Sequence, residues 1–156
     1  MSNKVTIRRL PTGVSGLDNL LGGGLPEYSF NLIAGTPGSG KTTLAHQIMF
    51  SLATPEYRAL FFTVLGEPTL KMLRYQQQFL FFDHSKINQS IRFVNLATDL
   101  LEGNFDRVLA RIAAEVEDYG PAWCSLIRSD PSCSRPGPKT GMCPICSALC
   151  SSSVCG

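Results

Sequence analysis

Gly35-Thr36-Pro37-Gly38-Ser39-Gly40-Lys41-Thr42 satisfies G-x-x-x-x-G-K-[ST] at every position. Each residue type in that pattern has a physical task. The glycines allow backbone angles that turn consecutive N–H groups towards one point. A helix opening near Lys41 adds the positive end of its dipole. The Lys41 ammonium can reach the outer phosphates of a nucleotide, and the Thr42 hydroxyl can ligate Mg²⁺ beside them. A glycine-rich turn that binds nothing would need no strand before it and no helix after it. Here Ser29-Phe30-Asn31-Leu32-Ile33-Ala34 reads as a short buried strand. Residues 42–52, with Leu44, Ile48 and Leu52 at helical spacing, read as the helix that follows. The candidate phosphate-binding residues are Gly35, Thr36, Pro37, Gly38, Ser39, Gly40, Lys41, Thr42 and Thr43.

Working outward, the chain alternates strands and helices. Ala59 to Leu65 reads as a second strand. Pro68 then opens a helix that carries Leu70, Leu73 and Tyr75 towards Phe79. Ile91 to Leu96 reads as a third strand, and Phe105 to Tyr119 as an amphipathic helix with Val108, Leu109, Ile112 and Val116 on one face, stopped by Gly120-Pro121. This alternation predicts a parallel sheet covered by helices. A strand should come next, and the sequence after Pro121 offers no recognisable one.

Upstream of the loop stand Thr12-Gly13-Val14-Ser15-Gly16-Leu17-Asp18 and Leu20-Leu21-Gly22-Gly23-Gly24-Leu25-Pro26. With these flanks the chain resembles the KaiC-like branch (named for the circadian clock protein KaiC) of the RecA-type ATPases. The specific signature covers about residues 12–52 and the general likeness residues 5–121. The resemblance implies an α/β fold, here an incomplete RecA-like P-loop NTPase with a parallel sheet. It implies a Mg²⁺-dependent ATPase with ATP and Mg²⁺ as cofactors, and Ser/Thr autokinase activity in the intact relative. It also implies ring-shaped homohexamers with ATP at subunit boundaries. A complete core of this type has further strands after Pro121. Without them the P-loop strand loses its sheet neighbours and apolar faces stay exposed.

The family usually has two adjacent glutamates after the second strand, one acting as general base on the attacking water. This chain has Gly66-Glu67, so only Glu67 can carry that role; a helix-start glutamate favoured by the dipole is the plain alternative. Lys71 and Arg74 read as solvated face residues. His46 and His84 lack partners at ligand spacing and read as structural or surface residues. A RecA/RadA-like DNA-repair ATPase is the alternative within nucleotide chemistry. Residues 1–123 hold 11 basic and 11 acidic side chains, which leaves no basic footprint for nucleic acid.

All six cysteines, Cys124, Cys133, Cys143, Cys146, Cys150 and Cys155, fall after Trp123, together with three basic residues and one acidic, which make the whole net charge of +2. That charge is too small to predict nucleic-acid or membrane affinity. The first residues show no secretory apolar region, and no apolar run approaches the roughly 20 residues that span a bilayer, so a soluble, cytoplasmic chain is expected. Cys143-x-x-Cys146 with Cys150 and Cys155 could hold zinc, but all four sit within 13 residues instead of in two separated knuckles. A different origin fits better. One legal coding of Ala122 to Ser134, read two bases on, gives LVLVDSFRSVVQ, an apolar run ending in Asp, as the family's Walker B strand does. The division expected is therefore a partial ATPase domain at 1–121 and an out-of-frame, unstructured Cys-, Ser- and Pro-rich tail at 122–156. Loss of Walker B would impair hydrolysis.

Overall fold

The computed structural model describes residues 7–64, 69–101 and 105–127. Three five-residue strands form its main sheet: β3 (Ala59–Thr63), β4 (Ile91–Asn95) and β5 (Trp123–Ile127), in the order β4-β3-β5. Both pairings are parallel and in step, with Ala59 opposite Ile91 on one side and Trp123 on the other. A short antiparallel pair, β1 (Arg9–Leu10) with β2 (Leu25–Pro26), stands apart from this sheet and flanks the four-residue helix α1 (Leu17–Leu20).

β3 is the centre because Ala-Leu-Phe-Phe-Thr is apolar on both faces, and all five residues are buried. Alternation along the strand then feeds two separate cores. Ala59 and Phe61 pack with Ala45, Met49 and Phe50 of α2 (Lys41–Leu52), with Met72 of α3 (Thr69–Gln76) and with Ile91. Leu60, Phe62 and Val64 pack on the other side with Val94, Leu96 and Val108, Ile112 and Tyr119 of α5 (Phe105–Tyr119). The parallel sheet covered by helices is therefore present, as an incomplete RecA-like arrangement. The short α4 (Ala97–Leu101) leads into α5. At the far end of α5 two guanidinium groups lie over the Tyr119 ring, Arg92 at 4.2 Å and Arg58 at 4.9 Å from its centroid.

Four expectations change. The stretch from Ser29 to Ala34 is not a buried strand: it carries no strand pairing and every residue in it is exposed, with Phe30 at 56%, Leu32 at 72% and Ile33 at 41%. Among the described residues no strand lies beside it. Second, a strand does follow Pro121. Trp123 and Ile127 pack, half-buried, on the α2 core and Leu126 on the α5 core, which is the alternation of a strand between two helix layers. Cys124 and Ser125 interrupt its apolar run and hid it. Third, α3 buries Met72 and Gln76, one helical turn apart, while Leu70 and Tyr75 are 81% and 57% exposed. Fourth, the buried side of α2 is Ala45, His46, Ile48, Met49 and Phe50, whereas Leu44 and Leu52 are half-buried. α5 keeps its bounds and its inward face. The possible helix start at Pro68, and all of the Cys-rich tail beyond Ile127, lie outside the described residues.

Candidate functional site

The loop of residues 35–40 leads directly into α2. Gly40 is the residue before the helix, with φ +82°, and Gly38 has φ +79°. Both angles lie in the left-handed region that a Cβ disfavours, so the glycine spacing of the motif is a backbone requirement here. No side chain caps the N-terminus of α2, and its first turn holds no acidic residue. The first N–H groups of the helix are thus left for a ligand. Within the loop, Ser39 N–H donates to the Thr36 carbonyl at 3.2 Å.

Lys41 folds back over this loop. Its Nζ donates to the carbonyls of Gly35 at 2.9 Å and Thr36 at 2.8 Å, and lies 3.5 Å from Ser39 Oγ. The ammonium is thus held at the loop that opens the uncapped end of α2. Thr42 and Thr43 follow in the first turn, half-buried. The other end of α2 is also electrostatically matched: Lys86 Nζ donates to the Phe50 carbonyl at 2.7 Å, a cation at the negative end of the helix dipole. A cradle of backbone N–H groups, one ammonium and a hydroxyl fits a nucleotide phosphate chain with a hard divalent cation.

The Thr-Gly lead-in closes on itself. Asp18 Oδ1 accepts from both the Thr12 N–H and the Thr12 hydroxyl, each at 2.7 Å. These bonds, the backbone one first, hold the Asp18 carboxyl below the usual range. Thr12 is fully buried by this closure. Gly13, at φ +69°, presses against Ser51 near the end of α2, so the lead-in braces the helix that starts at the phosphate loop.

Glu67 lies outside the described residues, as do Cys133, Cys143, Cys146, Cys150 and Cys155; Cys124 is an exposed residue of β5. Among the described residues no group of three His, Cys, Asp or Glu is placed to hold a metal. No helix among them is long and apolar enough to cross a membrane. Lys71, Arg74 and His84 are exposed. His46 is fully buried on α2, with neither ring nitrogen hydrogen-bonded. The sequence reading of His46 as structural or surface resolves to structural; Gln76 was passed over. For His46 the available signal was position: it stands four residues after Thr42, on the same face of the helix.

The family model described as the KaiC ATPase matches residues 10–125, from the lead-in through the first half of β5. The chain belongs to the KaiC ATPase family. The circadian clock oscillator protein KaiC of Prochlorococcus marinus is 30% identical over 120 residues, covering 72% of this chain and 24% of that protein. The DNA repair protein RadA of Mycolicibacterium smegmatis is 45% identical over 67 residues, 43% of this chain and 14% of RadA. A UPF0273 protein of Thermotoga maritima is 44% identical over 45 residues, 29% of this chain and 19% of its own length. The KaiC-family chain thus spans less than a quarter of each of these relatives.

Proposed function

We propose that the chain binds ATP with Mg²⁺ at the loop of residues 35–43. The observation that carries this reading is the Lys41 ammonium held on a glycine-built loop that leads into the uncapped N-terminus of α2. In this reading the backbone N–H groups around Gly38 to Thr43 cradle the phosphates. Lys41 exchanges the Gly35 and Thr36 carbonyls for phosphate oxygens, and the Thr42 hydroxyl is a Mg²⁺ ligand. Mg²⁺ supplies charge neutralisation of the phosphates when bound. Of the family's adjacent glutamate pair only Glu67 carries over, as the general base on water. β5 itself, Trp-Cys-Ser-Leu-Ile, carries no acid where the family's Walker B aspartate would end the strand. Hydrolysis, and any Ser/Thr autokinase activity, are therefore impaired in this chain. Assembly into a homohexamer with ATP at subunit boundaries follows from the family.

Titration of the full chain with a fluorescent ATP analogue and Mg²⁺ tests the reading. Lys41→Ala removes a charge-assisted contact of about 1.5–3 kcal/mol, so affinity should fall about 10- to 150-fold. Unchanged affinity would sink the assignment. The likeness to RadA favours one second reading, a DNA-repair ATPase. Single-stranded DNA added to the same titration distinguishes it, because salt-sensitive DNA binding is expected only there.

A further inference from the structure

Residues 29–34, Ser-Phe-Asn-Leu-Ile-Ala, hold no charged side chain, no proline and no glycine. Every one of them is exposed. None of their backbone N–H groups donates to an acceptor among the described residues. The bonds they do make are local and fix the start of the stretch. Ser29 Oγ donates to the Pro26 carbonyl at 2.6 Å, and Asn31 Nδ2 to Ser29 Oγ at 3.1 Å. Just past the other end, Lys41 Nζ holds the Gly35 carbonyl at 2.9 Å. The stretch is thus tethered at both ends, and no described strand pairs with it between them.

Water can satisfy the amides but not the side chains. Phe30, Leu32 and Ile33, with Tyr28 before them, form a run of exposed apolar groups. A short, uncharged, proline-free segment of this kind is suited to pair with its own copies. Complementarity then sets the register. In a paired strand Phe30, Leu32 and Ala34 take one face, and Asn31 and Ile33 the other. An antiparallel pairing centred on Leu32 sets Leu32 opposite Leu32 and Phe30 opposite Ala34 of the second copy. That face is wholly apolar, and each large ring meets a methyl group. A slip of one residue would set Asn31 opposite Leu32 and mix the faces. No pair brings like charges together, because the stretch carries none.

We propose that residues 30–34 pair antiparallel with residues 30–34 of a second copy of this chain, centred on Leu32. The contact is isologous, so it closes at two copies. It is small beside a standard interface, so the dimer is weak and depends on concentration. It is independent of nucleotide binding and of the family's ring assembly.

The test uses the full chain under reducing conditions, with sedimentation velocity and hydrogen exchange across a concentration series. Dilute protein should sediment as a monomer with fast exchange at residues 30–34. Concentrated protein should contain dimer, with exchange there slowed about tenfold or more. Leu32→Lys sets two ammonium groups opposite one another and Leu32→Glu two carboxylates, so each variant alone should associate about tenfold more weakly. An equimolar mixture of the two should associate again, because each ammonium then faces a carboxylate. Both variants should melt as wild type does when dilute, because position 32 is exposed. A wild type that stays monomeric, association untouched by Leu32→Lys, or a mixture that stays apart would each overturn the pairing. Slow exchange at residues 30–34 that does not vary with concentration would mean that another part of the same chain covers them, and would overturn it too.

Discussion

Acidification should weaken this fold through His46. Burial against Phe61 and Phe93 holds its imidazole down to about 4, from 6.5 in an open chain, with Gln76 pulling the other way. The unfolded chain therefore takes up a proton as pH falls through 6.5, whereas the native chain resists until about 4. Stability is complete above about pH 6.5, declines between there and about 4, and is level below. A difference of that size amounts to about 3 kcal/mol in full, of which about 2 kcal/mol is already lost at pH 5. That is a large share of the roughly 5–15 kcal/mol by which domains are stable. Asp18 and Asp83 have carboxyls held below their ordinary values by bonds from Thr12 and Ser85, so they stay ionised through this window. Urea unfolding of wild type and His46→Leu between pH 7.5 and 4.5 reads the effect directly. The difference between the two free energies should widen as pH falls. Two curves that stay parallel across the window would refute the buried, neutral imidazole.

Further outcomes follow from other sites. Gly13→Ala would place a Cβ 1.7 Å from Ser51 Oγ at φ +69°, so thermal unfolding should show a loss of at least about 1–2 kcal/mol from the backbone alone; an unchanged melting temperature would mean the lead-in does not brace α2. Leu32→Lys with Phe30→Ser should reduce light scattering without shifting the unfolding midpoint by more than about 0.5 kcal/mol, because both side chains are exposed; a larger shift would place that stretch in a packed core. Coding DNA read across Gly120 to Arg128 should show one base more than this sequence implies; an unaltered frame would make the Cys-rich tail genuine.

Much of this architecture was legible because periodicity and punctuation agreed. Phe105 to Tyr119 repeats its apolar face at helical spacing and meets Gly120, and it folded with those bounds. The loop of residues 35–40 was legible as a turn into a helix because Gly38 and Gly40 meet a backbone demand that no other residue meets as cheaply. Ser29 to Ala34 misled because a strand's burial depends on neighbours, and a local apolar run does not record whether they exist. β5 misled in the opposite sense. Cys124 and Ser125 look polar, but register against β3 and two flanking cores made Trp123 to Ile127 a strand. The His46–Gln76 contact joins residues thirty positions apart on different helices, and nothing local announces such a pairing.

The central place of β3 also bears on how the chain is made. Its partner β5 lies 64 residues later, Ala59 pairing with Trp123. A ribosome adding about 5–20 residues each second leaves Ala-Leu-Phe-Phe-Thr without that edge for roughly 3–13 seconds. Throughout that interval the most apolar strand of the protein is a nascent segment open to chaperones and to other chains. Yield in the cell should consequently depend on translation speed and chaperone supply as much as on the stability of the finished fold.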